Sequence, residues 1–440
     1  MTRYIGLDVH KRFIEVCILD AAGKIVYRGQ VVCEKDQLED FCRKRFKKSD
    51  HVVLEATGNT WSVVAIVQPF VERIVVSNPL RTKAIAEAKI KTDKVDALVL
   101  AQLLRCDFLP LVWQPDEKTQ RFRGLMTHRT GLMTHRSRIK NRIQSLLARW
   151  LLKPPCKVLW SKTGMLWLKR VLPKLPAYEQ LTLESDLRQL EQVDKELVLL
   201  DQKLASEAQE DRRVQLLMTL PGVNYAVALG LLAALGDISR FRDGDHAASY
   251  LGLVPSTRQS ANHCYHGHIT KAGNGNTRGL LTQAAQHVGR HPGPLGAFFR
   301  RLAKRKNRNV AITATAHKLV LVALLMLKNN EPYRYARPEL MRDKFSRLGE
   351  AATGTRARIL KGKSKPGLEE VYNAAKLPKV TTPAKLSRGE RRMLEDRKLM
   401  EFVEELYQPI SPQRKTKQPV KKATRIAETR KRQAARKGGK

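Results

Sequence analysis

What this sequence has too little of is negative charge. Across 440 residues, 42 Asp and Glu stand against 82 Lys and Arg, a net charge of +40. That imbalance exceeds what solubility requires and points to a polyanionic partner, nucleic acid first and an anionic membrane surface second. Long apolar runs are also missing. None reaches the ~18 residues of a membrane span, and no signal-peptide pattern opens the chain. Cysteine is sparse: Cys17, Cys33, Cys42, Cys106, Cys156 and Cys264 lack paired spacing, which favours reduced thiols over a disulfide framework. A cytoplasmic protein with no membrane association is the expectation. The length allows two or three domains, each with its own core.

The few acids that are present sit in telling places. Tyr4-Ile-Gly-Leu-Asp8-Val alternates as a strand, with Ile5, Leu7 and Val9 on one side and Tyr4, Gly6 and Asp8 on the other. A carboxylate ending such an alternation is costly near a core unless a cation meets it or water covers it. His51-Val-Val-Leu-Glu55 is a second apolar run with the same ending, before the turn residues Thr57-Gly58-Asn59. Lys91-Thr-Asp93-Lys-Val-Asp96-Ala97 then opens an apolar helical run, and its two acids, three apart, share a helix face. Read alone, Asp93 can be a helix cap and Asp96 a first-turn acid. Read together with Asp8 and Glu55, the four can converge on hard divalent cations, usually Mg²⁺. Two such ions, ~4 Å apart, serve phosphodiester transfer by activating a nucleophile and stabilising the leaving oxygen.

In chain order, three alternating runs (from Arg3, Phe13 and Lys24) predict an antiparallel meander. A helix over 36–47, a strand at 52–55, a helix near 61–71 and a strand at 73–77 follow. Three strands and then alternating helices and strands make an α/β plan of the RNase H or RuvC kind over residues 1–110. Residues 111–211 read as a helical arm. Gly-Leu-Met-Thr-His-Arg occurs at 124–129 and again at 131–136, one heptad later. Leu125, Leu132, Ile139, Ile143, Leu146 and Leu147 form a stripe flanked by Arg129, Arg136, Arg138, Lys140 and Arg142. With the Leu/Glu-rich stretch 181–204 this predicts a coiled-coil hairpin, for dimerisation and for backbone contact with nucleic acid through residues such as Arg129, Arg136 and Lys140.

Residues 212–335 form a third, mostly α-helical unit. Leu217-Met-Thr-Leu-Pro-Gly-Val223 before an Ala/Leu helix looks like half of a helix-hairpin-helix, whose turn offers N–H groups to phosphate. A polar stretch from Tyr250 to Arg278 carries Ser256, Ser260, Lys271 and Arg278. It can present a hydroxyl nucleophile with cations beside it, or be an ordinary basic loop. His263, Cys264, His266 and His268 do not complete a standard zinc site. Residues 336–440 read as a basic, largely disordered tail holding one short helix over 388–406 and giving sequence-independent affinity for nucleic acid.

Tyr4-Ile-Gly-Leu-Asp8-Val-His10-Lys11, Leu54-Glu55-Ala-Thr-Gly58, Lys91-Thr-Asp93-Lys-Val-Asp96-Ala97 and the Leu251–Arg278 stretch together resemble the insertion-sequence-110 family of DEDD transposases, to which Piv-like DNA invertases also belong. The resemblance spans roughly residues 3–333. It implies a RuvC-like domain with Asp8, Glu55, Asp93 and Asp96 as Mg²⁺ ligands, followed by a transposase domain whose serine nucleophile falls on Ser260. It further implies a 5′-phosphoserine intermediate, a composite site shared between protomers, a non-coding bridge RNA pairing with double-stranded target and donor DNA, and dimers that assemble into tetramers. Lys271 and Arg278 match basic positions and would contact phosphate. The family commonly has Gly after the serine where this chain has Ala261, which leaves Ser256 as a second candidate hydroxyl. Three readings follow: a serine recombinase, a RuvC-type nuclease using water, and a non-catalytic scaffold. The complete acid set argues against the last, because acids repel phosphate and a scaffold gains nothing from them.

Overall fold

The computed structural model describes residues 2–85, 92–260, 263–355, 366–380 and 386–407. The chain divides into two compact units, Met1–Asp116 and Glu117–Lys440, so the arm and the described residues after it belong to one unit.

In the first unit β1 (Tyr4–Val9), β2 (Phe13–Leu19) and β3 (Ile25–Val32) form the expected meander, followed by α1 (Lys35–Arg45), β4 (His51–Glu55), α2 (Thr60–Val67), β5 (Arg73–Ser77), α3 (Pro79–Ile85) and α4 (Asp93–Arg105). The sheet order is β3-β2-β1-β4-β5, with β4 parallel to both β1 and β5. The period-2 alternation sorts the faces. Ile5, Leu7, Ile14, Val16, Val52 and Leu54 pack against Leu38 and Cys42 of α1 and Val63, Val64 and Val67 of α2. On the opposite face Tyr4, Cys17, Leu19, Val53 and Val75 pack against Ala97, Leu100, Ala101 and Leu104 of α4. Burying Leu or Val side chains at such positions stabilises by ~1.5–3 kcal/mol each. Gly6 lets α4 lie directly on β1: a Cβ there would be 2.8 Å from the Ala101 nitrogen and 3.0 Å from the Ala97 carbonyl carbon.

The second unit begins with α5 (Glu117–Arg149), α6 (Lys162–Val171) and α7 (Ala177–Glu210). α5 and α7 pair as an antiparallel hairpin around Ile139, Ile143, Leu146, Leu147, Leu183, Leu190, Val193 and Leu197. Their ion pairs fix the register. Arg129 joins Asp201, Arg136 joins Asp194, Arg142 joins Asp186 and Arg149 joins Glu179, at 2.6, 2.6, 2.5 and 2.9 Å. One heptad forward along α5, from 129 to 136, is matched by one heptad back along α7, so the sequence repeat is a repeat of interhelical contacts.

Beyond the arm come α8 (Arg212–Met218), α9 (Tyr225–Leu235), α10 (Gly244–Tyr250), β6 (Pro255–Ser260), β7 (His263–Ile269), α11 (Gly275–Val288), α12 (Pro294–Arg305) and α13 (Arg308–Asn329). α9 is apolar all round and buried at every residue from 226 to 235. α13 is long and apolar enough to cross a membrane, with mean hydropathy 2.0 over its most apolar window, half of it buried. Thr313, Thr315, His317 and Lys318 interrupt its run, which is why counting consecutive apolar residues passes over it. Here it is a core helix contacting α8, α10, α11 and α12.

The folded part does not stop at Tyr335. α14 (Pro338–Thr353), α15 (Leu368–Ala374), α16 (Arg388–Asp396) and α17 (Met400–Tyr407) add Met341, Phe345, Tyr372, Leu394 and Val403 to the same core. The Lys344 ammonium donates to the Met218 and Leu220 carbonyls at 2.8 and 2.6 Å, and its burial there pulls its pKa down to about 7. Helical core structure therefore continues past the expected boundary at 335 to Tyr407 among the described residues, and the helix expected over 388–406 is two helices. Charge-rich sequence hid α14 and α15. The rest of the expected tail, from 408, lies outside the described residues.

Candidate active site

At the strand and helix ends of the first unit, two of the four expected acids, Asp8 and Asp93, come together with His10. Asp8, on β1, shares the α4-facing side with Gly6. The β1–β4 register aligns Leu7 with Leu54, so one step further brings Asp8 level with Glu55, on the same face as Val53. α4 begins over these strand ends. Its N-cap is Thr92, whose hydroxyl accepts from the Val95 N–H, and Asp93 and Asp96 occupy the first turn. Asp93 is therefore not the cap, and its carboxylate is left for the site. Lys91 of the same motif lies outside the described residues.

Two further residues belong here that the acid pattern missed. His10 Nε2 lies 3.0 Å from Asp8 Oδ2 and 3.4 Å from Asp93 Oδ2. Asp8, His10 and Asp93 each offer a ligand atom within 4.8 Å of the others. Glu15, directly opposite Asp8 in the β1–β2 register, is 1 % exposed, and neither of its carboxylate oxygens has a hydrogen-bond partner among the described residues. A buried carboxylate without a partner is expensive unless positive charge lies close by. Burial raises the Asp8 carboxyl above its ordinary range; His10 opposes that shift, and the charges of Asp96 and Asp93 add to it. An oxygen-rich, mutually repelling donor set of this kind fits a hard divalent cation. His10 stood in the sequence two residues after Asp8. Glu15, inside Phe-Ile-Glu-Val-Cys, was a charged residue in an apolar strand, the one signal that could have found it.

In the second unit the polar stretch holding Ser260 is a β-hairpin, not a loop. β6 and β7 pair Thr257 with His266, Arg258 with Tyr265, Gln259 with Cys264 and Ser260 with His263. Every residue of β6 is exposed, which is why no hydrophobic alternation announced it. Ser260 is the last residue of β6; Ala261, the departure from the family pattern, lies outside the described residues. Ser256 sits at the other end of the hairpin with its hydroxyl over Gly267. The Cys264 sulfur approaches His266 Nε2 at 3.7 Å, and no third His, Cys or acid joins them among the described residues.

The expected cationic contacts divide. Arg278 is committed to its own chain: Nη1 donates to the carbonyls of Leu251, Ala272 and Gly273 at 3.2, 2.5 and 3.2 Å, clasping the base of the hairpin. Lys271 is exposed, at φ 55°. Arg129 and Arg136, expected on a nucleic-acid face, instead hold α5 to α7 as described above, because acids one heptad apart on α7 lie in reach. Lys140 stacks over Trp160 at 4.9 Å from the ring centroid; partial desolvation, then Arg136, lowers its pKa. The Leu-Pro-Gly-Val turn also departs from the phosphate-binding expectation. Gly222, at φ 79°, packs on the Ala284 carbonyl of α11, and the Leu220 and Val223 N–H groups already bond to Leu217 and Leu220 carbonyls.

Two transposase family models match this chain. Residues 5–151 match a family of transposases with a DEDD domain, and residues 214–300 match the transposase IS116/IS110/IS902 family. The transposase for insertion sequence element IS1111A of Coxiella burnetii is 24 % identical, over 76 % of this chain and 91 % of its own length. The pilin gene-inverting protein of Moraxella bovis is 26 % identical, over 64 % of this chain and 81 % of its own. The transposase for insertion sequence element IS1533 of Leptospira borgpetersenii is 24 % identical, over 75 % and 97 %. With a DEDD nuclease-like catalytic domain ahead of the second matched domain, this chain is a transposase of the IS110/IS116/IS902 family.

Proposed function

We propose that the protein is a DNA recombinase that cuts and rejoins double-stranded target and donor DNA, with Mg²⁺ held by Asp8, Glu55, Asp93 and Asp96 and with Ser260 as the nucleophile. The observation that supports this reading is the meeting of Asp8 from β1 and Asp93 from α4 at His10, with Glu15, which has no hydrogen-bond partner among the described residues, paired opposite Asp8. When bound there, Mg²⁺ would supply Lewis-acid stabilisation of the charge that builds on phosphate oxygens. The chain's own residues do the rest. His10 bridges Asp8 and Asp93 and fixes their orientation, while Gly6 sets the depth at which α4 presents Asp93 and Asp96. Ser260, exposed at a strand end, is free to approach a phosphate. Attack by a serine hydroxyl keeps the energy of the phosphodiester in a covalent link until strands are exchanged.

The choice of DNA sequence would fall to a bridge RNA, a reading that rests on the family resemblance and is supported by the excess of 82 basic over 42 acidic residues. Assembly as dimers and tetramers is supported by the arm, which leaves Tyr178, Leu181, Val198 and Leu199 of α7 exposed. Inversion of a DNA segment is a second outcome of the same chemistry, favoured by the likeness to the pilin gene-inverting protein. The test is strand exchange on DNA spanning an element junction, with co-purified RNA and Mg²⁺. Ser260→Ala should abolish exchange. Cleavage that continues unchanged in that variant would instead identify a nuclease using water.

A further inference from the structure

We infer that the hairpin carries its own catalytic set: His263 as the proton acceptor for Ser260, and Arg258 as the cation that holds the attacked phosphate. The inference rests on the reading of Ser260 as nucleophile and assigns the partners that reading lacks.

The argument starts from strand geometry. Residues directly opposite in an antiparallel pair point to the same side, with Cβ atoms ~4.5–5.5 Å apart, and side chains two apart on one strand share that side. The register therefore puts Ser260, His263, Arg258 and Tyr265 on one face of the hairpin, and Gln259, Cys264, Thr257 and His266 on the other. The second face is internally engaged, with His266 against both Thr257 and Cys264. On the serine face neither His263 nor Arg258 makes a side-chain hydrogen bond or ion pair among the described residues, and both are exposed.

That distinguishes Arg258 from the cation the sequence pointed to. Arg278 spends its guanidinium on three backbone carbonyls, so its removal would loosen the hairpin base, whereas Arg258 has its donors free for a phosphate. His263 stands directly across from Ser260, and an imidazole nitrogen can accept the serine proton. Tyr265, 69 % exposed on the same face, offers a ring on which a nucleotide can stack.

The step balances without any redox partner. The serine Oγ–P bond forms as the P–O bond to the departing 3′ oxygen breaks; the serine proton passes to His263 and the departing oxygen takes one proton from solvent water. In the rejoining step a 3′ hydroxyl attacks the phosphoserine and gives its proton to solvent water, the serine Oγ–P bond breaks, and the serine oxygen recovers its proton from His263.

The experiment is the single-turnover rate of covalent protein–DNA adduct formation by the full-length chain with co-purified RNA, Mg²⁺ and junction DNA. His263→Ala should slow adduct formation by ~10²–10⁴-fold, and added imidazole should restore part of it. In a Ser260→Cys background the same change should cost much less, because a thiol ionises without help. Arg258→Ala should slow the adduct where Arg258→Lys retains part of the rate. An adduct formed by His263→Ala at the wild-type rate overturns the assignment of His263 and leaves Ser260 standing. A loss that imidazole does not restore also overturns it, by making the role structural. No adduct from the wild type, with cleavage unaffected by Ser260→Ala, overturns the serine reading and this inference with it.

Discussion

Replacing Gly6 with alanine should disable the acidic site from a distance, without touching any acid. The added Cβ would lie 2.8 Å from the Ala101 nitrogen and 3.0 Å from the Ala97 carbonyl carbon, and closer still to the Ala97 carbonyl oxygen. Those are backbone atoms of α4, so no side chain can swing aside. Restoring ordinary contact needs α4 to lift from β1 by ~1 Å, and overpacking of this kind costs ~1–3 kcal/mol. The same helix carries Asp93 and Asp96 in its first turn. Misplacing reacting groups by ~1 Å can reduce a rate by ~100-fold. Gly6→Ala should therefore lower the unfolding free energy by ~1–3 kcal/mol in urea, weaken Mn²⁺ or Mg²⁺ binding measured by calorimetry, and cut strand cleavage by ~100-fold while the protein still folds. Wild-type stability together with wild-type metal affinity would refute the argument that the glycine sets the depth of α4.

Three other perturbations address separate parts of the account. Glu15→Gln removes a buried carboxyl group that lacks a hydrogen-bond partner among the described residues, so it should raise the melting temperature of the metal-free protein and shrink the further rise on adding Mg²⁺; an undiminished Mg²⁺ response would detach Glu15 from the site. Arg129→Ala strands a half-buried Asp201 and should destabilise the second unit by ~1–3 kcal/mol, with Arg129→Ala/Asp201→Asn recovering part of the loss in a double-mutant cycle. Burial holds the His291 pKa down to about 4, and the cations Arg337, Lys344 and Arg300 act in the same direction. The unfolded chain thus takes up this proton first as pH falls from about 6.5 to about 4, and stability drops through that window by ~1.4 kcal/mol per unit. Urea titrations at pH 7 and pH 4.5 should show a larger loss for the wild type than for His291→Gln.

What could be read from sequence followed the physics of each segment. Strands with one buried face advertise themselves by alternation, so β1, β2, β4 and β5 and their terminal acids were legible to within a residue or two. The heptad repeat in α5 was legible as a helix but not as a set of salt bridges, because the partners lie 30 to 72 positions away on α7; Arg129 and Arg136 consequently read as nucleic-acid contacts. β6 and β7 carry no apolar face and left no period to detect. α14 and α15 were obscured by charged residues on their outer sides, α16 and α17 were read as one helix, and burial of Tyr372, Leu394 and Val403 shows these segments to be core elements. Glu15 was visible as a letter, but its isolation is a property of the packed sheet.

The measurement that tests the central claim most directly is a mass-spectrometric search for a phospho-linked peptide after the protein, its co-purified RNA, Mg²⁺ and junction DNA have reacted. Wild type, Ser260→Ala and Asp8→Asn should be run in parallel. The account predicts a nucleotide adduct on the peptide containing Ser260 in the wild type, and none in either variant. Cleaved DNA without an adduct, or an adduct that persists when Asp8 is neutralised, would contradict it.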